Sequence, residues 1–358
     1  DLTLVEAATL AGIPQSPTYN NPIDHPDNCL QRRNLVLNRM LTNGDITQEE
    51  YDAAVAMPIE LHTSEISADG IYKYPYFTSY VRDTLINDYA YTSDELFKGG
   101  LTVVTTLDPA MQDAADAAAA EKLSRSVPEA SVAIVAIDPD NGYIKAMVGG
   151  KDWNTSKLNL ATGAGGIGRP AGSTFKVFGL IAAIEEGIDP NSTYVNCSTY
   201  AELPGWKVHN VGYRDFGTRT IARALAVSSN TGFARLAMSI GPEKIKDVAQ
   251  RMGIESDLVA EGGLVLGADS SPVTPLEMAS AYATIASGGI HYQHTPILRV
   301  TDSDGNVLID NSAPQGERVI SEEVAHAAEQ VMEGVVNTSE GSGTDARLSS
   351  GQIVAGKT

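Results

Sequence analysis

The chain has 358 residues, 42% of them hydrophobic, and sets 25 Lys and Arg against 45 Asp and Glu for a formal net charge of −20. That length accommodates two domains and a linker, with enough apolar material for a core in each. A surface this acidic excludes nucleic acid and an anionic membrane face as main partners, because both would repel it.

Residues 1–57 read as helical. Residues 4–11 are apolar and stop at Gly12-Ile13-Pro14. A loop with Pro17, Pro22 and Pro26 follows. The spacing of Leu30, Val36, Leu37 and Met40 then predicts an amphipathic helix over 28–41, closed by Gly44. Thr47 and Glu50 make a capping-box pair that opens a helix over 48–56, stopped by Pro58. Residues 59–100 are polar and weakly periodic, with Tyr72, Tyr74, Tyr76 and Tyr80 around Pro75. They read as a linker with one short helix over 77–85. Residues 101–107 are β-rich, and Asp108-Pro109 starts an Ala-rich helix.

The second domain opens with strands over 132–137 and 143–148, joined by Asp138-Pro139-Asp140-Asn141-Gly142. A helix begins near Ser173. Others are expected over 220–226, 231–240 and 242–252, the last stopped by Gly253. Thr274, Pro275 and Glu277 supply the cap, the first-position proline and the box glutamate of a helix that ends at Gly288-Gly289. A further helix covers 322–336, and 352–355 reads as a strand. No run of 18 apolar residues occurs, and the longest, over 177–184, has the length of a core helix. Cys29 and Cys197 read as two free thiols. The histidines show no HExxH spacing and there is no CxxC pair, so neither a metal site nor any other cofactor is expected. The chain opens with Asp1 and stops at Lys357-Thr358 after an apolar stretch. Both ends read as cut.

Three short motifs carry chemistry. In Ser173-Thr174-Phe175-Lys176 the serine and lysine lie one helical turn apart on one face. A serine at the positive end of a helix is placed where an anion is favoured. It becomes a nucleophile when a base takes its proton, and a lysine desolvated by the apolar body over 177–184 can be that base. Ser228-Ser229-Asn230 lies between two apolar helical runs. Its hydroxyl can relay a proton and Asn230 can bond a substrate amide. Lys357-Thr358 follows an apolar stretch and can hold a substrate carboxylate. Taken singly, each has an ordinary reading as a capping serine, a helix–helix turn or a strand end. Together and in this order they form the pattern of penicillin-recognising serine enzymes.

On these residues the chain resembles the class A penicillin-binding proteins. Arg169-Pro170-Ala171-Gly172-Ser173-Thr174-Phe175-Lys176 resembles their nucleophile turn, Val227-Ser228-Ser229-Asn230 their second motif, and Val354-Ala355-Gly356-Lys357-Thr358 the start of their KTG motif. Segments over 105–109, 136–139, 146–150 and 273–279 resemble the family framework. Arg32, Val36, Leu37 and Met40 match the last motif of a family-51 glycosyltransferase.

The resemblance implies an α+β fold, an α/β sandwich of the penicillin-recognising serine transferase type. An antiparallel sheet flanked by helices is joined there by an all-helical subdomain and preceded by a mostly α-helical glycosyltransferase remnant. It implies a remnant over 1–58, an interdomain region over 59–125 and a transpeptidase domain over 126–358, truncated at its C-terminal end. The implied activity is D,D-transpeptidation of peptidoglycan stem peptides. Ser173, Lys176 and Ser228 would be catalytic, and Asn230, Lys357 and Thr358 would bind substrate. Implied partners are stem peptides ending in D-Ala-D-Ala, β-lactams, and membrane-anchored cell-wall machinery at the extracytoplasmic face, held there by an N-terminal helix outside this chain. The glycosyltransferase's catalytic glutamates would lie upstream. The KTG glycine and the second backbone donor of the oxyanion hole would lie beyond Thr358. Arg169-Pro170-Ala171 departs from the commoner Arg-x-Pro-Gly.

Other readings share parts of this pattern. A D,D-carboxypeptidase, a β-lactamase or a non-catalytic β-lactam sensor would use the same three motifs. Gly351-Gln352-Ile353-Val354-Ala355-Gly356-Lys357-Thr358 is also a full match to a phosphate-binding loop. Strand formers fill that loop and Arg347-Leu348-Ser349-Ser350 precedes it, where a hydrophobic strand is needed. Nucleotide binding would discriminate.

Overall fold

A computed structural model of the chain describes residues 2–61, 73–163 and 168–358. It divides into two compact units, Asp1–Tyr72 and Lys73–Thr358.

The first unit is helical: α1 (Leu4–Gly12), α2 (Pro26–Asn43) and α3 (Gln48–Ala56). Thr3 with Glu6 and Thr47 with Glu50 each form a complete capping box, so the helix starts are set by local hydrogen bonds. Gly44 closes α2 in the left-handed region at φ 82°, where only glycine avoids a Cβ penalty. Val5, Ala8, Leu37 and Ala54 make a small core. Arg33 is fully buried beside it and donates to Met57 O at 2.7 Å and Val55 O at 3.2 Å. Its guanidinium thus satisfies backbone carbonyls at the end of α3 that the helix leaves open.

The second unit begins with α4 (Pro75–Asn87) and α5 (Ser93–Lys98). The expected single short helix over 77–85 is therefore longer and has a companion, which Thr92 and Glu95 cap reciprocally. Tyr76 and Phe77 are buried, while Tyr72 lies outside the described residues. Next come β1 (Thr102–Thr105), α6 (Pro109–Ser124), β2 (Ile134–Ile137) and β3 (Ile144–Val148). They are followed by α7 (Lys176–Glu185), β4 (Tyr194–Asn196), β5 (Tyr200–Leu203), β6 (Trp206–His209) and β7 (Thr218–Thr220). Helices α8 (Ile221–Ala226), α9 (Asn230–Ile240), α10 (Pro242–Arg251) and α11 (Pro275–Ala286) come next. The unit closes with β8 (Ile290–Tyr292), β9 (Ile297–Thr301), β10 (Val307–Asp310), β11 (Gly316–Arg318) and α12 (Glu322–Asn337).

Among the described residues the strand pairs are antiparallel. Strands β1, β9 and β10 form a sheet with β9 in the middle. The pairs β2–β3, β4–β7, β5–β6 and β8–β11 form four short ribbons. The main core surrounds α7, whose Val177, Phe178, Leu180 and Ile181 are inaccessible to solvent. Each such side chain contributes about 1.5–3 kcal/mol. At Gly179 an added Cβ would stand 2.6 Å from Val265 Cγ2, so the glycine lets the neighbouring turn close onto α7.

Two local expectations are corrected. The helix expected near Ser173 begins as a 3-10 turn, Gly172–Phe175, and becomes α-helical only at Lys176. Residues 352–355 do not form a strand. A strand needs a partner ladder, and among the described residues none pairs with this stretch. It is held instead by α12: Asn337 Nδ2 donates to Val354 O at 3.1 Å and Gly356 N to Met332 O at 3.4 Å. Among the described residues no helix is long and apolar enough to cross a membrane, and none form a cluster able to hold a metal ion.

Candidate active site

Side chains i and i+3 of a 3-10 turn stack directly. Ser173 and Lys176 occupy those positions, and Lys176 Nζ donates to Ser173 Oγ at 3.0 Å. The turn is braced by its neighbours. Gly172, at φ 59°, donates from its N–H to Gly267 O at 3.3 Å. Gly267, at φ 64°, must be glycine, since a Cβ there would lie 2.2 Å from Gly172 N. Arg169 and Val273 exchange backbone hydrogen bonds of 2.8 and 2.9 Å. The Tyr282 hydroxyl donates to Thr174 O at 2.8 Å. Two hydrogen bonds to the turn and two to Arg169 just ahead of it thus hold the backbone that carries Ser173.

Lys176 is 0% exposed. Its Nζ also donates to Ser228 O at 2.7 Å and Asn230 Oδ1 at 2.8 Å, and reaches Ser228 Oγ at 3.3 Å. Those acceptors favour the ammonium. Burial opposes it and dominates, helped by the charge of nearby Lys357, and the lysine is held well below its ordinary range. An amine with a lowered pKa can accept a proton near neutral pH.

Ser228 has an unusual backbone. It follows α8 at φ 57°, its N–H donates to Leu225 O and that of Ser229 to Ala224 O, each at 2.9 Å. This is the Schellman closure of a helix, and Ser228 stands at the position glycine normally takes. An L-residue there costs about 1–2 kcal/mol. Ser229 then caps α9, accepting from Gly232 N at 3.1 Å. The outcome is a tight corner that presents Ser228 Oγ and Asn230 Oδ1 to the same ammonium.

Lys357 approaches from the end of the chain. Its Nζ donates to Ser228 Oγ at 2.9 Å and lies against the Thr358 carbonyl. Burial lowers its pKa to about 8. Thr358 Oγ1 is 2.6 Å from Ser342 Oγ. So Ser173, Lys176, Ser228, Asn230 and Lys357 converge through one set of hydrogen bonds, with Thr358 at its rim. The stretch that matches a phosphate loop has no regular secondary structure over 352–358, and its lysine reaches Ser228.

One residue at the site had no motif to announce it. Asn210 is 1% exposed. Its Oδ1 accepts from Asn230 N at 2.9 Å, Thr231 N at 3.1 Å and Ser229 Oγ at 3.1 Å. Its Nδ2 donates to Cys197 O, Arg214 O and Ser198 O at 3.0, 2.9 and 3.2 Å.

Known proteins resemble this chain in sequence and in fold. The family profile described as the penicillin binding protein transpeptidase domain matches residues 132–358, and a transglycosylase profile matches residues 1–41. Penicillin-binding protein 1A of Mycolicibacterium smegmatis is 33% identical, over 100% of this chain and 46% of its own length. Penicillin-binding protein 2D of Bacillus subtilis is 31% identical, over 94% of this chain and 48% of its own length. The chain thus spans about half the length of these curated relatives. The solved structure of penicillin-binding protein PonA1 from Mycobacterium tuberculosis superposes with a TM-score of 0.70 at 33% identity, covering 78% of this chain and 74% of that one. A second structure of PonA1 holds penicillin V. Penicillin-binding protein 1A of Haemophilus influenzae superposes with a TM-score of 0.78 over 96% of this chain and 70% of that one. At 23% identity this likeness speaks for the fold.

Proposed function

Since the chain belongs to the penicillin-binding protein transpeptidase family, in the class A arrangement with transglycosylase sequence ahead of it, we propose that Ser173 is the nucleophile of a D,D-transpeptidase acting on peptidoglycan stem peptides. The observation that carries this is the hydrogen-bonded row Ser173 Oγ, Lys176 Nζ, Ser228 Oγ, Lys357 Nζ, with links of 3.0, 3.3 and 2.9 Å.

In the first step neutral Lys176 takes the Ser173 proton and Oγ bonds to the carbonyl carbon between two terminal D-alanines. The C–N bond breaks, and the departing D-alanine nitrogen takes a proton from Ser228 Oγ, which is replenished from Lys176. In the second step an amine of a neighbouring stem attacks the ester. Its proton passes to the same relay, the Ser173 C–O bond breaks, and Ser173 recovers its proton. Asn230 orients the substrate amide, and Lys357 with Thr358 holds the terminal carboxylate. β-Lactams enter through the first step and stall there, in keeping with the penicillin-bound relative. In the same reading residues 1–58 are the end of a glycosyltransferase domain, 59–125 join it to the transpeptidase over 126–358, and the whole works at the extracytoplasmic face of the membrane.

The test is incubation with a donor peptide ending in D-Ala-D-Ala and an amine acceptor, following D-alanine and cross-linked product by mass. Both should form. D-Alanine release without cross-linked product at any acceptor concentration would mark a hydrolase, and neither product together with no β-lactam adduct would overturn the reading.

A further inference from the structure

The corner that holds Ser228 places a non-glycine residue in the left-handed region. Ser228 lies at φ 57° between two helices that it separates by a single turn. What stands behind it is Asn210, from the loop after β6, 20 residues upstream of Asn230. The amide is used at both ends. Oδ1 takes two backbone N–H groups at the start of α9 and the Ser229 hydroxyl. Nδ2 is anchored on three carbonyls, of Cys197, Ser198 and Arg214. One buried side chain therefore fastens the first turn of α9 to two separate stretches of backbone. The neighbouring His209 carbonyl accepts from Asn230 Nδ2 at 3.1 Å, so the same loop also fixes the rotation of the Asn230 amide. That rotation decides whether Oδ1 faces Lys176.

We infer that Asn210 is a positioning residue of the acyl-transfer site: it touches no reacting atom, and it holds Ser228 and Asn230 in register with Lys176. The inference rests on the transpeptidase reading above. The amide also resists ordinary replacement. Aspartate keeps the acceptor and loses the three anchoring donations, while alanine loses both and leaves two N–H groups of α9 without their acceptor. A displacement of the hydroxyl by about 1 Å is enough to cost on the order of 10²-fold in rate.

Gln112 is a matched control. It is equally buried, at 1% exposure, and its amide bridges the backbone N–H and carbonyl of Met147 on β3 at 2.7 and 3.1 Å, with no hydrogen bond to Ser173, Lys176, Ser228, Asn230 or Lys357. The second-order rate of acylation by a fluorescent penicillin is measured for the wild type, Asn210→Ala, Asn210→Asp and Gln112→Ala, with Tm for each. Both Asn210 variants should acylate about 10²-fold more slowly per folded molecule with little change in pre-covalent affinity, and Gln112→Ala should lose Tm and keep its rate. Asn210 variants that lose Tm and keep the wild-type rate would overturn the inference and leave the transpeptidase reading intact. A crystal structure of Asn210→Ala decides independently of activity. Ser228 Oγ should leave hydrogen-bond reach of Lys176 and Lys357, and an unmoved Ser228 would overturn the inference even if the wild type proved not to acylate.

Discussion

Lys357 Nζ lies 2.9 Å from Ser228 Oγ, although the two residues are 129 positions apart. Ser228 is thereby placed between two lysines, one fully buried and one near the surface, and its hydroxyl is the only side-chain atom that links them among the described residues. Both lysines have lowered pKa values, and the charge of Lys357 is part of what lowers Lys176. The two ends of the proposed relay are therefore coupled, and their titrations act in opposite directions on the rate.

Acylation should follow a bell-shaped pH profile. Lys176 must be neutral, so the rate rises as pH climbs through its lowered value. Lys357 must be cationic to hold the carboxylate, so the rate falls as pH rises through about 8. Lys357→Met should remove the alkaline limb. It should also move the acid limb to higher pH, because the neighbouring charge that depresses Lys176 is gone. Stopped-flow acylation across pH 5 to about 10 checks both limbs.

Ser228→Gly should separate stability from activity. The left-handed position suits glycine better by about 1 kcal/mol, so the variant should melt no lower than the wild type. Its acylation should fall by about 10²-fold or more, because the hydroxyl is lost. A calorimetric Tm beside an acylation rate reads both. A variant that is destabilised, or that acylates normally, contradicts the assignment of this corner.

Lys176→Met keeps most of the side-chain volume and removes an amine buried at 0% exposure. The fold should persist, since a buried polar group costs free energy that an apolar side chain of similar size does not, while acylation drops by about 10²–10⁴-fold. Circular dichroism with a penicillin-labelling assay is sufficient.

Gly267→Ala should act at a distance through the backbone. Its Cβ would meet Gly172 N at 2.2 Å and Gly172 O at 2.5 Å, at a φ of 64° that already disfavours alanine. The Ser173 turn must shift or the unit must loosen, at a cost on the order of 3 kcal/mol. Urea denaturation should show the loss, with slower acylation in the fraction that stays folded.

Much of this was legible in the residues. The apolar run over 177–184 announced a helix buried on every side, and with it a desolvated Lys176. Capping boxes at Thr47 and Thr274 placed two helix starts to the residue. Other features were not. Strands β4 to β11 are three to five residues long, too short for alternation to rise above chance. The 3-10 start at Gly172 depends on Gly267 and Val273, about 100 residues away, and no local pattern encodes that. Residues 352–355 carry strand formers but lie on α12, with no partner strand among the described residues. Asn210 belongs to no short motif. Its role exists only once the loop after β6 is folded under α9, and an asparagine between a histidine and a valine gives no hint of it.

The most direct test is intact mass spectrometry of the purified protein before and after benzylpenicillin, with peptide mapping of the product. The account predicts a single stable adduct on Ser173, absent from Ser173→Ala. A folded protein that takes up no penicillin, or carries it on another residue, would contradict it.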